Sequence, residues 1–167
     1  MFLTWPDTVA SVGETVADMR IRASRFNRTL RYGLCTHIIV RETEDEARSA
    51  AERLVSKLDA TTGTSIRGKS LDTASVGVSR QTQLRTESDN DGYAEDNLWT
   101  GIGRARSGAG AAIVGNPDQV IAKLMAHQDV GIEAFILSGY PHIAECDLFA
   151  HYVLPAIAHS LLKPRWV

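Results

Sequence analysis

Side chains that transfer protons or bind anions stand within or directly after two apolar segments of this sequence. His37 lies in the apolar segment 32–40, and Tyr140 and His142 follow the apolar segment 134–138. Imidazole gains and loses a proton near neutral pH, and a phenol donates a hydrogen bond. A histidine in an apolar strand is also a common core residue, and a tyrosine between glycine and proline also caps turns. Together the three residues indicate proton transfer or anion binding.

A glycine-rich run, residues 101–110, brings positive charge close to another apolar segment. It contains Arg104 and Arg106, and a guanidinium group holds a sulfonate, phosphate or carboxylate with a fork of donors. Its glycines follow neither the dinucleotide fingerprint nor the P-loop pattern, so they predict no nucleotide site. Arg106 also fits a solvated surface charge, and Trp5, which ends the first apolar segment, also fits core packing. The combination favours an anionic substrate or cofactor.

Composition excludes several other classes of function. Twenty acidic and eighteen basic residues give a formal charge of −2, which offers no electrostatic case for nucleic acid or an anionic membrane. Cys35 and Cys146 form no CxxC pair, and no histidine, cysteine and carboxylate spacing predicts a metal site. Two cysteines are typical of a reducing compartment. Without a signal peptide or an apolar run near 20 residues, the chain is expected to be soluble and cytoplasmic.

Local signals predict alternating strands and helices along the 167 residues. They place strands at 1–5, 32–40, 111–115 and 134–138, and helices at 7–27, from Thr43 onward, 116–130 and 144–162. This alternation predicts one α/β domain with a parallel sheet and right-handed crossovers. Ligands of such sheets bind at the carboxyl ends of the strands, where the candidate residues fall. Four βα units amount to half of a (βα)8 barrel.

Residues 59–97 break this alternation. They are rich in glycine, serine and threonine and include the acidic stretch 87–91. An irregular segment of this size inside a compact domain is typical of a lid or a disordered insertion. We predict a partly mobile, lid-like insertion with a helix near 70–85.

Four blocks of the sequence resemble bacterial alkanesulfonate monooxygenases. They are YGLxxHIIVRETxDEA at 32–47, NLWxGxG at 97–103, RxGAG at 106–110 and FILSGYPH at 135–142. Those enzymes belong to the luciferase-like, flavin-dependent family, whose members are TIM barrels. The resemblance covers nearly the whole chain, taken as a single domain of residues 1–167, and corresponds to the carboxyl-terminal half of the family barrel.

The resemblance implies a two-component monooxygenase. An NAD(P)H-dependent FMN reductase would supply reduced FMN, and reaction with oxygen would convert an alkanesulfonate to an aldehyde and sulfite. Trp5, His37, Arg106, Tyr140 and His142 match residues that bind the sulfonate. Of these, His37, Arg106 and Tyr140 would serve in catalysis, Arg106 and Tyr140 would also bind the cofactor, and the 59–97 segment would belong to a lid over the flavin.

Two departures from the family pattern leave alternatives open. Cys35 stands where the family has an arginine, a candidate for anion binding and proton donation, and a neutral thiol fills neither role. The second departure is that only half of the barrel is represented. Such a half-barrel is completed by a homo-oligomer or by a complementing amino-terminal half, or it is a non-catalytic binding module or a truncated remnant. Some relatives use a deazaflavin, and this half of the sequence does not distinguish that cofactor from FMN.

Overall fold

A computed structural model describes residues 1–59, 61–63, 65, 75–105 and 108–160. Its strands are β1 (Phe2–Thr4), β2 (Tyr32–Val40), β3 (Tyr93–Glu95), β4 (Leu98–Trp99), β5 (Ala112–Gly115) and β6 (Ala134–Ser138). Its helices are α1 (Val9–Ser24), α2 (Glu44–Val55), α3 (Val76–Glu87), α4 (Pro117–Asp129) and α5 (His142–Tyr152), with 3-10 turns at Gly101–Arg104 and Leu154–Ala156. No helix among these residues is both long and apolar enough to span a bilayer.

Strand β2 is the centre of the sheet. It pairs in parallel with β1 along 32–34, with β5 along 37–40 and with β6 along 33–37. Strands β4 and β3 extend the sheet beyond β5 in antiparallel orientation. His37 is the residue of β2 that lies opposite both β5 and β6, so the two pairings meet at a predicted site residue.

Helices pack on both faces of the sheet, and alternate residues of β2 point to opposite faces. On one face, Ile39 packs with α2 through Ala47 and Ala51. On the other face, Ile38 and Val40 pack with α4 and α5, while α1 covers the amino-terminal end. Burial on both sides explains why β2 is almost entirely apolar, and the predicted α/β class with parallel βα units is confirmed.

Short-range helix signals correspond closely to the structure. Thr43 accepts a hydrogen bond from the Glu46 amide while the Glu46 side chain accepts from the Thr43 amide. Asn116 and Gln119 form the same reciprocal box at the start of α4. These contacts satisfy amides that have no partner within the helix.

The helix predicted at 144–162 has different bounds. Helix α5 begins at His142 and ends at Tyr152, and a 3-10 turn follows at Leu154–Ala156. Pro155 lacks an amide hydrogen and its ring clashes with the preceding turn, so the α-helix cannot continue through it. Residues 161 and 162 lie outside the described residues.

Part of the 59–97 segment packs against the sheet. An ion pair connects helix α3 to the segment that follows β1. The guanidinium of Arg80 on α3 donates to the carboxylate of Asp7 over 2.6 and 2.8 Å. Leu84 on α3 is buried against Leu98 and Ala111. Residues 60, 64 and 66–74 of the predicted lid lie outside the described residues, and the lid stays a prediction.

Candidate functional site

Three of the predicted site residues form one cluster of rings. The Tyr140 ring lies between two imidazoles, with centroids 5.4 Å from His37 and 4.8 Å from His142. His37 is buried, with 1% of its surface exposed, whereas Tyr140 is half-buried and His142 is exposed. The peptide bond between Tyr140 and Pro141 is cis. The ring cluster therefore runs from the interior to the surface at the end of β6.

The register of β2 against β6 builds this cluster. His37 lies opposite Ser138, whose Oγ is 2.7 Å from His37 Nδ1. Cys35 lies opposite Ile136 on the same face of the sheet, so the thiol borders an apolar side chain. Sequence reasoning missed Ser138 as a partner of His37, because no local signal reveals how strands 101 residues apart align.

A partly buried ion pair holds the helix that carries His142. The Arg41 guanidinium, directly after β2, donates to both carboxylate oxygens of Glu145 over 2.7 and 3.1 Å, and Glu145 is 6% exposed. Such bidentate pairs restrict both position and orientation. This contact was also absent from the sequence reasoning, although Glu145 stands one helical turn after His142.

Two clefts flank the ring cluster. One, of about 240 Å³, has Ser138, His142 and Cys146 in its lining over an apolar floor. The other, of about 300 Å³, lies beside Tyr140 and Ile102. Cofactor-sized sites usually occupy about 300 to 1,000 Å³. The hydroxyl, phenol and imidazole donors fit the oxygens of an anion, but clefts of this size do not enclose a whole flavin.

Trp5 belongs to a second group, around α3. A Cβ added to Gly77 would lie 2.7 Å from the Trp5 ring, and the indole also borders Gly108. The Gln81 side chain donates to the Pro6 carbonyl and accepts from the Gly110 amide, over 2.7 and 2.9 Å. Helix α3 thus joins the end of β1 to the glycine-rich run. Arg106, predicted to act from that run, lies outside the described residues.

We expect Gly139→Ala to disturb the ring cluster. An added Cβ would overlap the Glu145 Cβ and lie 2.7 Å from its Cγ, while the Ile38 carbonyl closes the other side. Overpacking of this kind typically costs about 1–3 kcal/mol. Urea unfolding of the variant measures the loss, with Ala144→Gly on the exposed side of α5 as a comparison. A variant as stable as the wild type would contradict this packing.

The described residues contain no group of three or more histidine, cysteine or carboxylate side chains that fits a metal ion. Residues 1–134 match the family model of luciferase-like monooxygenases. The chain belongs to that family. The ring cluster and both clefts are therefore features of a luciferase-like monooxygenase chain.

Two curated relatives are more than 50% identical to the chain over the aligned residues. The sulfoquinovose monooxygenase of Novosphingobium aromaticivorans is 63% identical over 163 residues, which is 98% of this chain and 45% of the relative. The sulfoquinovose monooxygenase of Agrobacterium fabrum is 51% identical over 155 residues, 93% of this chain and 40% of the relative. The family prediction is confirmed, but these relatives are named for sulfoquinovose and not for alkanesulfonates. The chain spans less than half of their length.

Solved structures share the fold. DmoA from Hyphomicrobium sulfonivorans superimposes with a TM-score of 0.70 at 18% identity, over 97% of this chain and 39% of DmoA. Riboflavin lyase, solved with modified FMN and riboflavin, gives a TM-score of 0.60 at 17% identity, over 92% of this chain and 37% of the lyase. The curled sheet thus corresponds to part of a luciferase-like barrel.

Proposed function

We propose that this chain supplies one half of the active site of a flavin-dependent monooxygenase that cleaves the carbon–sulfur bond of a sulfonate. The observation that supports it best is the ring cluster of His37, Tyr140 and His142 at the end of β6. It presents hydrogen-bond donors at the sheet edge where parallel α/β proteins bind ligands. The name shared by the two relatives points to sulfoquinovose, a sulfonated sugar, as the substrate.

Each site residue receives a role from its position. His142 and Tyr140 hold the sulfonate from the exposed end of the cluster, and His37 supports the Tyr140 ring and hydrogen-bonds the anion once that ring moves aside. Tyr140 also borders the cofactor, and the Trp5 indole forms an apolar wall beside α3. Arg106 remains the proposed clamp for the anion. The 59–97 segment, as a lid, would keep water from the reaction.

Reduced FMN, when bound, would supply the electrons that activate oxygen. One oxygen atom goes to the carbon as the aldehyde, the carbon–sulfur bond breaks to release sulfite, and the second oxygen leaves as water. The chain's own residues contribute donors to the leaving sulfite and keep the site dry. We propose that an NAD(P)H-dependent FMN reductase supplies the reduced flavin, which places the protein in the cytoplasm with its free cysteines.

Cys35 bears on the choice of substrate. The alkanesulfonate enzymes that the sequence resembles have a charged arginine at this position, and here a thiol lies opposite Ile136. A neutral, apolar pair cannot supply the missing charge, so other residues must hold the sulfonate. Because that loss affects every sulfonate alike, the ranking rests on the names of the two relatives: we rank sulfoquinovose above alkanesulfonates, whose hydrocarbon chains offer no hydroxyl groups to bind.

The sheet face around Cys35 also supports a partner. On it, Leu3 and Ile136 remain 50% and 49% exposed, although both belong to strands. Apolar side chains on an open sheet face are typical of a surface that another segment covers. We propose that an amino-terminal half-barrel covers this face, with a second copy of the chain as the alternative.

Sulfite release tests the proposed function. The protein is assayed alone and mixed with the amino-terminal half of a sulfoquinovose monooxygenase, with reduced FMN supplied at a fixed rate. We expect sulfite from sulfoquinovose above a no-protein control, and less from hexanesulfonate. Sulfite mainly from alkanesulfonates would restore the original substrate prediction. A folded protein that releases no sulfite in either assembly would favour a non-catalytic half-barrel.

A further inference from the structure

Ser138 has no assigned role in the proposed reaction, yet its hydroxyl contacts the most deeply buried ring of the cluster. Its Oγ lies 2.7 Å from His37 Nδ1. The two residues are directly opposite on parallel strands β6 and β2, and such side chains leave the sheet on the same face. The contact is therefore set by strand register and does not depend on a loop.

The direction of this hydrogen bond determines the state of the imidazole. Among the described residues, the Ser138 hydroxyl hydrogen-bonds His37 Nδ1 and no other group. When the hydroxyl donates to Nδ1, a single proton satisfies both groups, whereas the reverse bond leaves the hydroxyl proton in need of another acceptor. Because a neutral imidazole carries one proton, acceptance at Nδ1 places that proton on Nε2. We propose that Ser138 is a positioning residue that holds His37 in the Nε2–H tautomer.

This inference rests on the proposed function, because the Nε2–H tautomer gives His37 the hydrogen-bond donor that a sulfonate requires. Sulfonate oxygens are acceptors only, so an Nε2–H group attracts them, whereas a bare Nε2 lone pair repels them. The same bond restricts rotation of the imidazole beneath the Tyr140 ring, which is tilted by 32° to it. Ser138 thus acts on the substrate through His37 and needs no contact with the substrate itself.

Nitrogen NMR of the protein with labelled histidine tests the tautomer without any turnover. The chain has five histidines, and the His37 signal is assigned by its loss in His37→Asn. We expect an unprotonated Nδ1 in the wild type and in Ser138→Thr, which keeps the hydroxyl. In Ser138→Ala we expect at least a threefold rise in the Nδ1–H form. An unchanged tautomer in Ser138→Ala, or a wild-type Nδ1 that carries the proton, would overturn the inference.

Kinetics of the assembly that releases sulfite give a second readout. Ser138→Ala should lower kcat/KM for the sulfonate about tenfold, with Ser138→Thr within threefold of the wild type. Ser24→Ala, at the exposed carboxyl end of α1, should leave it unchanged. Equal loss in the Thr and Ala variants would overturn the role of the hydroxyl. Should Ser138→Ala fail to fold, Ser138→Cys replaces it, since a thiol is a much weaker donor. If the wild type releases no sulfite, the proposed function fails while the NMR result still decides the tautomer.

Discussion

His37→Ala is expected to lower kcat/KM for sulfite release at least about 100-fold in the assembly that turns over. The imidazole supports the Tyr140 ring at 5.4 Å and hydrogen-bonds Ser138, so its loss removes a donor and leaves Tyr140 without its inner neighbour. Removal of one preorganised hydrogen-bond donor that faces developing negative charge typically costs about 10²- to 10³-fold in rate. Initial rates of sulfite release across a range of sulfonate concentrations measure the effect.

The control for this prediction separates chemistry from folding. His159→Ala removes an exposed histidine outside the ring cluster and should leave the rate unchanged. His37→Asn keeps a polar side chain at the buried position, and its thermal unfolding shows how much of the loss is structural. A folded His37→Ala variant with the wild-type rate would remove His37 from the active site.

The parts of the fold that depend on neighbouring residues were predictable. The bounds of β2 and β6 follow from apolar runs that end in turn residues, and the structure places both strands at the predicted positions. The capping box at Thr43 follows from side chains three residues apart, whose contact needs no knowledge of the rest of the chain. Local chemistry therefore predicted the four parallel strands and the helices between them, and the parallel sheet follows from their order.

The contacts that complete the site depend on distant parts of the chain. The Ser138–His37 bond needs the register of β6 against β2, and the Arg41–Glu145 pair joins residues 104 positions apart. Strands β3 and β4 are three and two residues long, too short to show any periodicity. Strand β3 falls within the predicted insertion 59–97 and β4 directly after it, and neither was predicted. Identity of the candidate rings could be predicted, but their partners could not.

The buried histidine of α4, His127, is expected to make the protein sensitive to mild acid. His127 on α4 has no exposed surface, and neither ring nitrogen has a hydrogen-bond partner among the described residues. Burial, with a smaller contribution from the positive charge of Lys123, lowers the pKa of His127 from 6.5 to about 4. The unfolded chain therefore takes up a proton on this residue at a higher pH than the folded protein does.

The sign of the effect follows from proton linkage. The contribution of the neutral, buried imidazole to stability is fully present above about pH 6.5 and is lost as the pH falls toward 4. One pKa unit corresponds to about 1.4 kcal/mol, so the loss over this window is about 3 kcal/mol. His127→Leu removes the titrating group and the two unpartnered nitrogens, and it should be about 1–2 kcal/mol more stable than the wild type at pH 7.

Urea unfolding at pH 7.0, 5.5 and 4.5 measures both effects. The difference in free energy of unfolding between His127→Leu and the wild type should widen as the pH falls, because carboxylates titrate equally in both proteins and cancel. His159→Gln, which removes an exposed histidine, should follow the wild type at every pH. A difference in free energy of unfolding that stays constant across the three pH values would mean that His127 is protonated within the fold. The prediction of a buried, neutral imidazole would then be wrong.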